Sequence, residues 1–180
     1  MINPLKTIQV LAKVGKIIST IAFVCSIVGA VFCVVGITSL AVGAEGALRF
    51  GGVNIYGIIE KNTDISVGSM CASMAAGVYS CAAGAVLAAF AKRYFQREMD
   101  AGTPFTNAGA DEIFRLGILT IVLPLAARLL SEITNGVLRE AMDGAGKLAV
   151  DNGGAVGMGI AFLVMSVIFR YGAQLEEKTK

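Results

Sequence analysis

The sequence predicts an all-α fold: an integral membrane four-helix bundle, formed by residues 1–180 as a single membrane domain, with the N- and C-termini cytoplasmic. Three observations predict it. Hydrophobic residues make up 56% of the chain and charged residues 16%, against about 25% charged in an average soluble domain. The mean hydropathy is +0.74. Most telling, the charges cluster and leave long uncharged runs, whereas a soluble helix carries charge along its outer face.

A helix needs about 20 apolar residues to cross the hydrocarbon core. Spans are expected at about 17–43, 65–91, 114–135 and 152–170, with an inner loop at 92–113 and an amphipathic outer segment at 132–147. The first span follows Lys16, and residues 17–44 carry no charge. That run is about twice the usual signal-peptide core, so it reads as a retained anchor. The loop 45–64 mixes Leu48, Phe50, Val53, Ile55, Tyr56 and Ile58 with glycines, and its partial alternation suits a short hairpin.

The second span is dominated by Gly, Ala, Ser and Cys. One ladder of small residues runs Gly68, Ala72, Ala76, Ser80, Gly84, Ala88, and a parallel one Ser69, Ser73, Gly77, Cys81, Ala85, Ala89. Small side chains let helix backbones approach closely in lipid. Packing within the chain is the favoured reading of these ladders, and a homo-oligomeric seam is the other.

The third span starts after Arg115. The uncharged run Leu116–Ala127 is too short to cross alone. Either the helix continues to about Asn135, with Arg128 and Glu132 near its far end, or the segment is re-entrant. Arg128 would lie about 20 Å along the helix from Arg115. Arg128 and Glu132 share one face at i, i+4. They read as a snorkelled interfacial pair or, alternatively, as a buried charge lining a polar cavity. Pro124 is expected to kink the helix one turn earlier. Beyond it, Leu130, Ile133, Val137 and Ala141 recur at helical spacing among charges, and Gly144 and Gly146 close the segment. The fourth span carries a Gly153–Gly157 GxxxG pattern, a weak signal, and exits at Arg170 and Tyr171.

Orientation follows from Lys and Arg. Four spans place ten of the fifteen cations on the side of both termini and the inner loop, counting Arg115 at the start of the third span, the excess expected of a cytoplasmic face. The cysteines Cys25, Cys33, Cys71 and Cys81 all lie in apolar runs without metal-ligand spacing and read as small buried hydrophobes. The chain contains no histidine, which removes the usual general base and the commonest metal ligand. No catalytic, cofactor-binding or metal constellation is expected. No basic tail points to nucleic acid.

The inner loop holds the one distinctive motif. The second helix should extend past Lys92, Arg93 and Arg97 and end at Gly102. Pro104 blocks continuation and holds Thr103 extended, Phe105 plugs the turn against the bilayer, and Thr106 is an N-cap for the next helix. The turn Gly102-Thr103-Pro104-Phe105-Thr106, followed by Arg115-Leu116-Gly117 and an apolar span, resembles the bacterial four-helix membrane family called domain of unknown function 2975. That resemblance covers roughly residues 10–175 in layout. It implies a small multi-pass bacterial inner-membrane protein without assigned activity, of a family often encoded beside a small DNA-binding regulator of the Cro repressor type. It supplies no catalytic residues, and Arg128 and Glu132 have no match in it.

Function is thus expected to be non-enzymatic: partner-binding or regulatory, with Lys92–Arg115 the candidate face for a membrane protein or a small cytoplasmic regulator. The competing reading is a homo-oligomeric transporter or channel subunit that uses Arg128 and Glu132. Against it, the first, second and fourth spans hold no ionisable residue.

Overall fold

The computed structural model describes residues 4–42, 49–50, 53–54, 67–101, 106–141 and 153–179. These form helix α1 (Pro4–Val42), strands β1 (Arg49–Phe50) and β2 (Val53–Asn54), and helices α2 (Val67–Ala101), α3 (Asn107–Ala141) and α4 (Gly153–Thr179). The expected hairpin exists as this antiparallel two-residue ladder, with Arg49 opposite Asn54 and Phe50 opposite Val53. All four helices are long and apolar enough to cross a membrane.

Long side chains and small ones have exchanged their usual places. The buried apolar residues are mostly alanines: Ala12, Ala72, Ala76, Ala88, Ala110, Ala127 and Ala173. Large ones such as Ile18, Val24, Leu129, Ile133 and Val167 point outward. The buried stripes follow a 3–4 spacing. On α3 the stripe runs Ala110, Ile113, Gly117, Thr120, Ala127, Ser131, with half-buried Pro124 between the last pairs. On α4 buried Gly159, Ser166 and Ala173 alternate with half-buried Ala155, Phe162 and Phe169. A 3.5-residue repeat keeps one seam facing its neighbours along the whole helix.

Four hydroxyls are buried as well: Ser19 on α1, Thr120 and Ser131 on α3, and Ser166 on α4. Each donates to a carbonyl of its own helix: Ser19 to Gly15 (2.8 Å), Thr120 to Leu116 (2.7 Å), Ser131 to Ala127 (2.7 Å) and Ser166 to Leu163 (2.8 Å). Burial therefore leaves none of these four donors unpaired, and the small hydroxyls pack like alanines.

The chain divides into two compact units. The first comprises Met1–Ser26, Ala83–Leu125 and Asp151–Lys180, and the second Ile27–Ala82 and Ala126–Val150. In the first, the Phe95 ring fills the space a Cβ on Gly15 would take, and Ser26 lies against Gly84. In the second, Cys81 Sγ lies against Gly29, Cys33 Sγ against Gly77, and Met74 against Gly36. In each unit these α1–α2 pairs step forward on one helix as they step back on the other, so the pair is antiparallel. The glycines alternate between the helices, and each receives a side chain from across the seam. The first unit also holds a close approach of two backbones. A Cβ on Gly159 would stand 3.0 Å from the Gly117 carbonyl oxygen, and one on Gly117 would stand 3.1 Å from that of Gly159.

Several sequence expectations need correction. Gly68, Ala72 and Ala76 are buried and Gly84 is half-buried, but Ser80 is exposed, as is Ser73 of the second ladder. A four-residue step overshoots a 3.6-residue turn by about 40°, so by Ser80 the ladder has swung about a third of the way round from Gly68. The GxxxG pattern does not mark the described seam. Gly157 faces open space, while Gly159, almost opposite it on α4, makes the close contact. Cys71 is buried, but Cys25 is exposed, on the outer face of α1. α3 is one continuous helix with Pro124 inside it. Within the outer segment 132–147, Ile133 and Val137 are exposed, and 142–147 lie outside the described residues.

Candidate functional site

The charged end of the first unit is assembled from the last turns of α2, the first turns of α3 and the second half of α4. α2 continues as a helix through Ala101, past the uncharged stretch that ends at Ala91. Two aromatics anchor this extension. Tyr94 is buried, and its ring meets Phe95 edge-on at 5.3 Å between centroids, while Phe95 is seated on Gly15. Phe90 lies 5.9 Å beneath the Arg93 guanidinium, within cation–π range.

Thr106 caps α3 as its position predicts. Its Oγ1 accepts from the Gly109 amide at 3.0 Å, and its carbonyl accepts from the Ala110 amide at 3.0 Å. That satisfies two amides a helix N-terminus otherwise leaves unpaired. One turn later, two consecutive acidic residues of α3 reach in different directions. Glu112 pairs with Arg97 of α2, and Asp111 pairs with Arg170 of α4. Three helices are thus tied at their charged ends through α3. Glu112 is the more enclosed partner, and its second carboxylate oxygen is buried without a hydrogen bond among the described residues.

Between the end of α2 and the start of α3 lies a cavity of about 160 Å³, lined by Tyr94, Arg97, Glu98, Ala101, Thr106, Ala108 and Gly109. Burial pushes the Glu98 carboxyl above its ordinary range, and the hydrogen bond from Tyr94 partly opposes this. Burial, then the neighbouring Glu98 carboxylate, pushes the Tyr94 hydroxyl up, so Tyr94 stays a neutral donor.

Of the residues singled out for this face, Arg97 and Thr106 join the assembly. Lys92 is half-buried and Arg93 exposed, and neither enters an ion pair among the described residues. Gly102, Thr103, Pro104 and Phe105 lie outside the described residues. Sequence reasoning missed Asp111, Glu112 and Arg170 as cross-helix partners. Adjacent acids just inside a capped helix were a usable signal, but the sequence carries none for which cation each would find.

The second polar group lies in the other unit. Arg128 Nε donates to Glu132 Oε1 at 2.9 Å, and both side chains are about half exposed on the flank of α3. The Tyr79 hydroxyl of α2 and the Thr134 hydroxyl of α3 share a hydrogen bond of 2.9 Å. Among the described residues, no group of three or more His, Cys, Asp or Glu side chains could hold a metal ion.

Set against protein-family models, curated proteins and solved structures, the chain matches none.

Proposed function

We propose that the chain is a non-enzymatic multi-pass membrane protein that binds a protein partner through its charged face. Four helices cross the bilayer, and both termini and residues 92–113 lie on the cytoplasmic side of a bacterial inner membrane. The apolar exterior supports insertion, since large side chains face outward along helices whose contacts are made by alanine and glycine. Lipid covers such a surface at no cost, whereas water would penalise it. The cation excess supports the orientation, and the resemblance to the four-helix family supports the bacterial setting.

The observation that carries the partner reading is the pair of ion pairs from Asp111 and Glu112. They fix α2, α3 and α4 relative to each other where Lys92, Arg93 and Arg97 stand. Exposed ion pairs contribute little stability, but a fixed array of cations is a recognition surface for an acidic patch. Crosslinked pull-down from native membranes, followed by mass spectrometry, tests it. A partner recovered in stoichiometric amount with the wild type and lost with Lys92→Glu, Arg93→Glu, Arg97→Glu supports the reading. An unchanged set of partners, with topology preserved, overturns it.

The Tyr79–Thr134 bond and the Arg128–Glu132 pair favour the second reading, a transporter or channel subunit in which copies of the chain enclose these groups. Recovery of the chain only with itself, and solute flux lost on neutralising Arg128 and Glu132, would select it.

A further inference from the structure

The N-terminal third of α1 carries a hollow the partner reading does not use. It has a volume of about 330 Å³ and is lined by Lys13, Lys16, Ile17, Thr20 and Ile21 of α1 and Met99 of α2, all within the first unit. Its chemistry is divided along the helix. Lys13 and Lys16 stand at one end, one turn apart, and neither is in an ion pair among the described residues. Of the acids in this unit, Glu112 pairs with Arg97, Asp111 with Arg170 and Glu98 with Tyr94, while Asp100, beside Met99, is exposed and forms no ion pair with either lysine among the described residues.

The other end is apolar. Ile17 and Ile21 lie in the hollow and are about half exposed, and Val24 continues the same exposed ridge. The Thr20 hydroxyl is turned back onto the Lys16 carbonyl at 2.8 Å, so it presents no polar demand to the ridge. Lys16 is also the last charge before the uncharged run 17–44, which sets the two ammonium groups at headgroup depth in the membrane reading.

We infer that this hollow is a binding site for one anionic phospholipid of the inner leaflet, with its phosphate on Lys13 and Lys16 and an acyl chain along Ile17, Ile21 and Val24. Charge complementarity selects the headgroup, and the apolar ridge selects a lipid over a free phosphate, which would leave half of the site unused. The inference rests on membrane insertion but not on the partner reading.

Each lysine at an anionic surface contributes about 1 kcal/mol, or roughly fivefold in affinity. Native mass spectrometry of the delipidated full chain, titrated with phosphatidylglycerol or phosphatidylcholine, reads this directly. The expected result is retention of phosphatidylglycerol in excess of phosphatidylcholine. That preference falls about fivefold in Lys13→Gln and about 25-fold in Lys13→Gln, Lys16→Gln, and is unchanged in Arg139→Gln at the far end of α3. Lys13 is exposed, so the single variant keeps its fold even where the double one does not. Equal retention of both lipids overturns the site, as does indifference to Lys13→Gln or an equal loss in Arg139→Gln. A protein that alkaline carbonate strips from membranes would instead overturn insertion itself.

Discussion

Gly159→Val destabilises the detergent-solubilised protein by roughly 1–3 kcal/mol, while Gly157→Val, two residues away, leaves its stability unchanged. The difference is geometric. A Cβ at 159 would overlap Ile121 Cγ1 and stand 3.0 Å from the Gly117 carbonyl oxygen. The isoleucine could turn away only at the expense of its own packing, and the carbonyl belongs to a helix backbone that moves only if α3 and α4 separate. A Cβ at 157 meets nothing within 4 Å. At about 2–4 °C per kcal/mol for a chain of this size, thermal melts separate the two variants. Equal melting temperatures would show that α3 and α4 do not touch at Gly117 and Gly159.

The seam between α1 and α2 makes a second, reciprocal prediction. Gly77→Ala alone places a methyl group 2.8 Å from Cys33 Sγ but 3.9 Å from Cys33 Cβ. Removing the sulfur therefore removes the clash. Gly77→Ala should lower stability by about 1–3 kcal/mol, and adding Cys33→Ala should recover most of that loss, although Cys33→Ala by itself leaves a small void. A favourable coupling of 0.5 kcal/mol or more in the double-mutant cycle is the expected signature of contact. Strict additivity would place the two residues apart. Ser80→Ala serves as the comparison within the ladder and should be neutral, because Ser80 is exposed.

These two seams mark how far the sequence could be read. The helices were legible because charge was excluded from them, and the cap at Thr106 was legible because a hydroxyl after Pro104 and ahead of an apolar run has few other uses. The partners of the glycines were not legible. Glycine is frequent throughout the chain, and whether Gly157 or Gly159 faces a neighbour depends on a rotation of α4 that spacing alone leaves free. The small-residue ladder has the same freedom: it names a surface rich in small groups, but a four-residue step winds around the helix, and Ser80 is exposed. On the charged face, Lys92, Arg93 and Arg97 declared themselves as a cluster. The acids that answer Arg97 and Arg170 come from α3 and became apparent only when the helices were brought together.

Insertion with four crossings is the claim on which the rest depends, and cysteine accessibility in intact bacterial cells tests it most directly. With the four native cysteines replaced, Gln96→Cys reports on the end of α2 and Glu140→Cys on the end of α3, both at exposed positions. The account predicts that a membrane-impermeant maleimide labels Glu140→Cys in intact cells and reaches Gln96→Cys only after lysis. Labelling of both from the same side would contradict it.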